Sequence, residues 1–267
     1  MVKLAVLGAA GRMGRAILAC VAESDRFDLV GAVTAIGGSG LGRDAGEQAG
    51  LPAFGVPLTD DRAQALHGAQ VAIDFTLPAV LEANLKACSE TGTALVVGTT
   101  GLSPRHHKLL ERASHQLPIV YGRNMSVGMN VFMHFVGQAA RALGEEYDVE
   151  IIEAHHRQKV DAPSGTALAL GEEIASARQR TLDQVAVRSR SGHTGPRVPG
   201  TIGFSVIRGG NIVGDHTVMF VSPEERIEFT HRAQDRRVFA LGALRAAQWV
   251  AGRAPGLYSM ADVLGLE

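Results

Sequence analysis

Residues 2–16, "VKLAVLGAAGRMGRA", leave few folds open. A short apolar run of strand type stops at Gly8, and Gly11 and Gly14 follow at a spacing of three. Residues 12–24 then carry Met13, Ile17 and Val21 at helical spacing, with Arg15 and Glu23 polar. A strand that turns through glycines into a helix is the start of a βαβ unit, which builds a parallel sheet with helices on its faces. Gly8 permits the tight turn. Gly11 lets backbone approach a diphosphate at the helix N-terminus, where free N–H groups and the dipole favour anions, and Gly14 lets helix and sheet come close. The context therefore predicts a dinucleotide site.

The rhythm continues. "FDLVGAV" (27–33), "VAIDF" (71–75), "ALVVGTT" (94–100) and "PIVYG" (118–122) read as strands, with helical patterns at 78–91 and 103–116. After Asn124 it changes. Residues 126–143 form one longer helical pattern from a Ser N-cap, 147–156 a strand and 164–179 a helix. Three β-rich runs at 200–209, 211–222 and 225–233 have short glycine-rich connections, which predicts an antiparallel or mixed sheet. A last helix spans about 235–252. Two domains are expected: a nucleotide-type half to about residue 125 and an α+β half after it.

Composition narrows the function. Charged residues are 20% and the net charge is -1, which argues against a nucleic-acid binder working by bulk charge. Any anion must be held by a local site. No run approaches the length of a membrane span, and the N-terminal stretch lacks the form of a signal peptide. Cys20 and Cys88 sit in helix-like apolar patterns, which fits buried thiols in a reducing cytoplasm.

A ribose-binding acid is expected about 20 residues beyond the glycines. Thr34, Ala35 and Ile36 stand there; no Asp or Glu lies between Asp28 and Asp44, and Arg43 is the nearest base. The choice between NADH and NADPH stays open, with Gly37, Gly38, Ser39 and Gly40 offered as backbone donors to the ribose or its phosphate. Further on, Gly98, Thr99 and Thr100 end a strand where a nicotinamide ribose is expected to lie. The same turn enters a helix with Ser103 as cap and Pro104 at its first position; the two readings are compatible.

"EAHHRQKVDAPSGTA" (153–167) gathers the chemistry. Adjacent residues at a strand end face opposite ways, so His155 and His156 do not chelate one ion, and no Cys or H-E-x-x-H spacing supports zinc; no metal is expected. The paired histidines of "PRHHKLLER" (104–112) read as the solvated side of an amphipathic helix. In 153–167, Ser164, Gly165 and Thr166 open a helix after Pro163, a cradle for carboxylate or phosphate, and Lys159 adds a positive charge. A histidine supplies a proton near neutral pH. The plainer alternative is a capping turn with Asp161 or Ser164 as N-cap, Lys159 solvated and His156 packed.

Together with "GAAGRMGRA" (8–16), "VVGTTG" (96–101), and "GHTGPRVPGTIGF" with "GDHTVMF" (192–220), this stretch resembles the 4-hydroxy-tetrahydrodipicolinate reductase (dihydrodipicolinate reductase) family along nearly the full chain. The resemblance implies an α/β fold. A Rossmann-type dinucleotide-binding domain covers 1–125 and 235–267. A substrate-binding and tetramerisation domain with a mixed open sheet covers 126–234. It implies NADH or NADPH as cofactor, a small dicarboxylate substrate, a homotetramer, a cytoplasmic location, and no nucleic-acid or membrane partner. By position, His155 matches the proton donor and Lys159 its catalytic partner. His156, Gly165 and Thr166 match substrate-carboxylate binding, with Lys159 and Ser164 assisting. Gly8, Ala9, Ala10, Gly11, Arg12, Met13, Gly98, Thr99, Thr100, Gly122, Arg123, Asn124 and Met125 match cofactor binding. The chain departs from the family at Ala35–Ile36, where an acid is frequent, and at Gly122–Arg123, where small residues are usual. Two rivals are an aspartate-type dehydrogenase, which explains the glycines but not the His-His-Lys-Ser-Gly-Thr set, and a non-catalytic dinucleotide sensor.

Overall fold

The computed structural model describes residues 1–38 and 40–266; Ser39 and Glu267 lie outside the described residues, and with Ser39 part of the expected backbone-donor stretch. The chain divides into two compact units, Met1–Val127 with Arg236–Glu267, and Gly128–Asp235.

In chain order the elements are β1 (Val2–Leu7), α1 (Arg12–Ala22), β2 (Phe27–Val33), α2 (Ala45–Gln48), β3 (Leu58–Thr59), α3 (Arg62–Leu66), β4 (Val71–Asp74), α4 (Leu81–Thr91), β5 (Ala94–Val97), α5 (Pro104–Ser114) and β6 (Pro118–Tyr121). There follow α6 (Val127–Leu143), β7 (Asp148–His155), α7 (Gly165–Ala177), α8 (Leu182–Val185), β8 (Ala186–Val187), β9 (Ile202–Arg208), β10 (Gly214–Val221), β11 (Arg226–Ala233), α9 (Arg237–Val250), β12 (Gly256–Tyr258) and α10 (Met260–Leu264).

In the first unit, seven strands form a parallel sheet in the order β12-β6-β5-β4-β1-β2-β3. Chain order reverses between β1 and β4. That is the switch point of a doubly wound sheet, and ligands lie beyond the carboxyl ends of strands there. Strand alternation feeds two cores. Leu4 and Val6 of β1 pack into one with Ile17 of α1 and Ala243 and Ala247 of α9. Ala5 and Leu7 pack into the other with Leu66, Leu85 and Leu110 of α3, α4 and α5. Burial on both faces is why these strands read as continuous apolar runs.

The second unit has a five-stranded sheet, β11-β10-β7-β9-β8. β9 is parallel to β7 and β8, while β10 runs antiparallel to β7 and β11, so the sheet is mixed as expected. Its core joins Met129, Phe132 and Val136 of α6 and Leu170 and Ile174 of α7 to Ile151, Val218 and Phe220 of the sheet. Burying each of the larger side chains contributes about 1.5–3 kcal/mol. This core fixes the end of β7 and the start of α7, where the candidate site residues lie.

Candidate active site

β7 ends at His155, and strand alternation places Glu153 and His155 on one face of it. Both are buried: Glu153 is 1% exposed and His155 9%. Glu153 Oε2 lies 2.6 Å from His155 Nδ1. Arg208, at the end of the neighbouring β9, reaches the same carboxylate with both terminal nitrogens, at 2.7 and 2.8 Å. The backbone N–H of Ser164 donates to Glu153 Oε1 at 3.0 Å. One carboxylate thus joins the end of β7, the end of β9 and the start of α7.

Ser164 is the N-cap of α7, and its Oγ accepts the Ala167 N–H at 3.1 Å. His216, from β10 and in register with Glu153, places Nε2 3.2 Å from Ser164 Oγ. Its ring meets that of His155 edge-on at 5.2 Å. Gly165 is exposed, and a Cβ built on it meets nothing within 4 Å, so the mouth of the helix is open. Thr166 is half-buried beside it. β7 stops before His156, whose carbonyl accepts the Lys159 N–H at 3.1 Å in a turn; His156 is half-buried. Lys159 is not simply solvated: its Nζ lies 2.8 Å from Asp161 Oδ1.

The charges set the chemistry. Burial works to raise the Glu153 carboxyl, but Arg208, His155 and the Ser164 N–H outweigh it, and the group sits below the ordinary carboxylate range. Burial lowers His155. Glu153 opposes that, Lys159 and Arg208 reinforce it, and the net direction is down. Burial, with the nearby His155 second, pushes His216 down to about 3, so it is neutral. For Asp161, burial acts upward but the bond to Lys159 prevails and the carboxyl is lowered. Together these residues present an ionised acceptor, a histidine with Nε2 still to be engaged, a lysine and an open helix N-terminus.

The first unit holds the expected dinucleotide loop. Gly8 has φ +79°, a conformation glycine adopts without strain, and its N–H and that of Ala9 bond the Val33 carbonyl at 2.9 and 2.8 Å. Gly11 is the N-cap of α1, so no side chain blocks the helix entrance, which Arg12 and Met13 begin. A Cβ on Gly14 would lie 2.3 Å from the Gly8 carbonyl oxygen, too close for any other residue. This bare helix entrance at the switch point fits a dinucleotide diphosphate.

The neighbouring loops are held from within. Asp74 at the end of β4 is fully buried; it accepts the Thr76 N–H at 2.8 Å, the Thr76 hydroxyl at 2.6 Å and Asn84 Nδ2 at 2.9 Å. Thr99 is also buried, with its hydroxyl 3.3 Å from Asp74 Oδ1, while Thr100 is exposed. A Cβ on Gly98 would lie 2.3 Å from the Phe75 ring. The Gly122 N–H bonds the Val97 carbonyl at 3.1 Å, and Asn124 Oδ1 accepts the Ser126 N–H at 2.9 Å. Met125 is buried and Arg123 exposed. Ser103 and Pro104 open α5 as the turn reading expects, and His106 completes a capping box there.

Beyond β2, Ala35 and Ile36 are exposed, and no charged residue precedes Arg43. Asp44 is already committed: it accepts the N–H groups of Gly46, Phe54 and Val56 at 2.8, 3.1 and 3.1 Å. It is therefore no substitute for the missing ribose acid.

Glu153, Arg208, His216 and Asp74 received no role from the sequence. The spacing of Glu153, two before His155 on a strand, is a signal that same-face reasoning reads. Arg208 and His216 lie 55 and 52 residues from their partners, and nothing local announces them. Among the described residues, no group of three His, Cys, Asp or Glu is placed to hold a metal ion.

Comparison with known proteins adds the family. Residues 2–125 match the family model "Dihydrodipicolinate reductase, N-terminus", and residues 128–264 match "Dihydrodipicolinate reductase, C-terminus". The chain is 54% identical over 264 residues to a 4-hydroxy-tetrahydrodipicolinate reductase of Alkalilimnicola ehrlichii, covering 99% of each. It is 52% identical over 268 residues to one of Pseudomonas fluorescens, covering 100% of each. In fold it resembles the dipicolinate-bound dihydrodipicolinate reductase of Paenisporosarcina sp. TG-14, with TM-score 0.76, 24% identity and 98% of each chain covered.

Proposed function

The chain belongs to the dihydrodipicolinate reductase family, and we propose that His155 is its proton donor and Lys159 the partner of that acid. In this reading His156, Lys159, Ser164, Gly165 and Thr166 hold the substrate's carboxylates. The family's reaction is the reduction of 4-hydroxy-tetrahydrodipicolinate to tetrahydrodipicolinate with NADH or NADPH, in lysine and diaminopimelate biosynthesis. It consumes one hydride and one proton and releases one water.

The observation that carries the assignment is the buried Glu153–His155 pair beside an open helix N-terminus. Bound nicotinamide supplies the hydride. The chain must hold a dianion, steady the negative charge that hydride addition leaves on the conjugated system, and deliver a proton to it. The start of α7 offers backbone N–H groups and a dipole to one carboxylate. Lys159 leaves Asp161 for the incoming anion and stabilises the developing charge. His155 Nε2, whose partner nitrogen is engaged by Glu153, delivers the proton. For the cofactor, Gly8, Ala9, Ala10, Gly11, Arg12 and Met13 surround the diphosphate. Gly98, Thr99, Thr100, Gly122, Arg123, Asn124 and Met125 line the rest of the dinucleotide. With its hydroxyl on Asp74, Thr99 contributes backbone.

Dipicolinate, a dicarboxylate held by the Paenisporosarcina enzyme, tests the division of roles. Lys159→Ala and Thr166→Val are expected to weaken its binding about tenfold or more, a loss of about 1.4 kcal/mol. His155→Ala should stay within a few-fold of the parent. The reverse pattern would reassign His155 to binding.

We also propose a homotetramer built on the five-stranded sheet, where Val206 and Ile207 of β9 are exposed apolar residues; a one-chain mass in light scattering would contradict it. Cys20 and Cys88 are buried thiols, which fits a reducing compartment and supports a cytoplasmic location. No helix among the described residues is long and apolar enough to cross a membrane.

A further inference from the structure

We propose that Glu153, clamped by Arg208, is the positioning residue of this site: it fixes the tautomer of His155 and ties the proton donor to the anion cradle of α7. The proposal rests on His155 being the acid and extends that reading to residues with no assigned role.

A carboxylate 1% exposed is expensive to bury, and an apolar side chain at 153 would serve the core equally well. Glu153 instead has all four of its contacts filled. Oε1 takes the Ser164 N–H at 3.0 Å and Arg208 Nη2 at 2.8 Å, and Oε2 takes His155 Nδ1 at 2.6 Å and Arg208 Nη1 at 2.7 Å. A bidentate arginine keeps such a group ionised. An ionised carboxylate only accepts hydrogen bonds, so Nδ1 of His155 must carry its hydrogen. Nε2 is then the nitrogen that gains and gives the catalytic proton.

Three further contacts point the same way. A Cβ at Gly214 would stand 3.1 Å from His155 Nε2, so glycine there keeps the approach to that nitrogen clear. Arg208 Nη2 also donates to the Asp161 carbonyl at 2.6 Å, which fastens the loop bearing Lys159. His216 bonds Ser164 Oγ while touching the His155 ring. Acid, lysine loop and helix start are therefore one assembly with Glu153 at its centre. Were Arg208 lost, burial would favour a neutral Glu153, which would hold the ring with no fixed tautomer.

The charged and titratable groups facing His155 are Glu153 on its own strand, Arg208 on β9, His216 on β10, and Lys159 with its partner Asp161 on the loop. Among them Glu153 alone raises the affinity of His155 for a proton through direct contact.

Nitrogen-15 NMR of histidine-labelled enzyme tests this, alongside kinetics of Glu153→Gln and Arg208→Lys. In the parent, the neutral His155 ring is expected as the Nδ1–H tautomer. In Glu153→Gln its proton affinity falls by about one pH unit or more, and the high-pH limb of kcat/KM moves down with it. kcat drops about 10- to 100-fold, with KM within about threefold. Arg208→Lys falls between the two. A purely structural role would lower the melting temperature and leave the tautomer and pH limb in place; that result, or an Nε2–H tautomer in the parent, would overturn the proposal. Should Glu153→Gln fail to fold, the tautomer of the parent decides. Full activity in His155→Ala would instead remove the assignment of the acid, and the tautomer would still judge the hold of Glu153 on the ring.

Discussion

Glu153 and His155 stand two residues apart on β7 and meet on the same face, carboxylate to Nδ1, at 2.6 Å. The contact gives strand alternation a chemical consequence, because an imidazole hydrogen-bonded at one nitrogen leaves the other one defined. It also makes the ionisation of His155 the product of opposing forces: burial, Lys159 and Arg208 lower it, and Glu153 raises it.

The pH dependence follows. As the proposed acid, His155 must be protonated, so activity should fall as pH rises through its titration. In the free enzyme that titration lies below the ordinary histidine value. A bound dicarboxylate adds negative charge beside the ring and raises it. The descending limb of kcat/KM, which reports free enzyme, should therefore lie at lower pH than that of kcat. Coincident limbs would show that substrate charge does not reach His155.

Gly165 separates function from packing. Its side-chain position opens onto free space, and its backbone is not in the left-handed region. Gly165→Ala should leave thermal stability unchanged or raise it by about 0.4–1 kcal/mol. The same methyl would crowd a carboxylate on the helix start, so KM should rise with little change in kcat. An unchanged KM would place the carboxylate elsewhere.

His216 predicts acid sensitivity. Its folded value of about 3 lies below the ordinary 6.5, so the folded protein keeps it neutral while the unfolded chain binds a proton. Its contribution to stability is whole above pH 6.5 and is lost as pH falls toward 3. In that window its linkage slope is about 1.4 kcal/mol per pH unit. Denaturant unfolding of His216→Gln should show a shallower decline than the parent by about that amount. Parallel curves would mean that His216 is protonated in the folded state.

Coenzyme choice depends on what is absent beyond β2. With Ala35 and Ile36 exposed and Asp44 spent on its own loop, no carboxylate faces a 2′-phosphate from this segment. Ala35→Asp should lower kcat/KM for NADPH by about tenfold relative to NADH, through like-charge repulsion and a new bond to the ribose hydroxyl. An unaltered ratio would place the adenosine ribose away from residues 34–36.

Much of this was readable in the amino-acid order. The alternation of apolar strands and amphipathic helices announced the parallel sheet, and the three glycines its tight strand-to-helix turn. The change of rhythm after Asn124 announced a second, mixed sheet. The short elements α2, β3, α3, α8, β8 and α10 carry neither a continuous apolar run, as β4, β5 and β6 do, nor enough residues for a period to register. β12, beyond the last helix expected from the sequence, joins the sheet by pairing with β6, a contact between residues more than a hundred apart. At the site, "EAHHRQKVDAPSGTA" carried the histidines, lysine and helix start in one local stretch. The clamp on Glu153 and the contact of His216 with Ser164 depend on β9 and β10 being folded beside β7, so no window of sequence contains them. Family membership, carried by matches along the whole chain, leaves the aspartate-type dehydrogenase and the non-catalytic sensor without support.

The most direct test of the account is steady-state kinetics of His155→Ala with freshly generated 4-hydroxy-tetrahydrodipicolinate, followed by loss of nicotinamide absorbance. Removal of the proposed proton donor should lower kcat by about 10²- to 10⁴-fold with KM within about threefold. A variant that keeps the parent kcat and shows only a raised KM would contradict it, and would make His155 a binding residue.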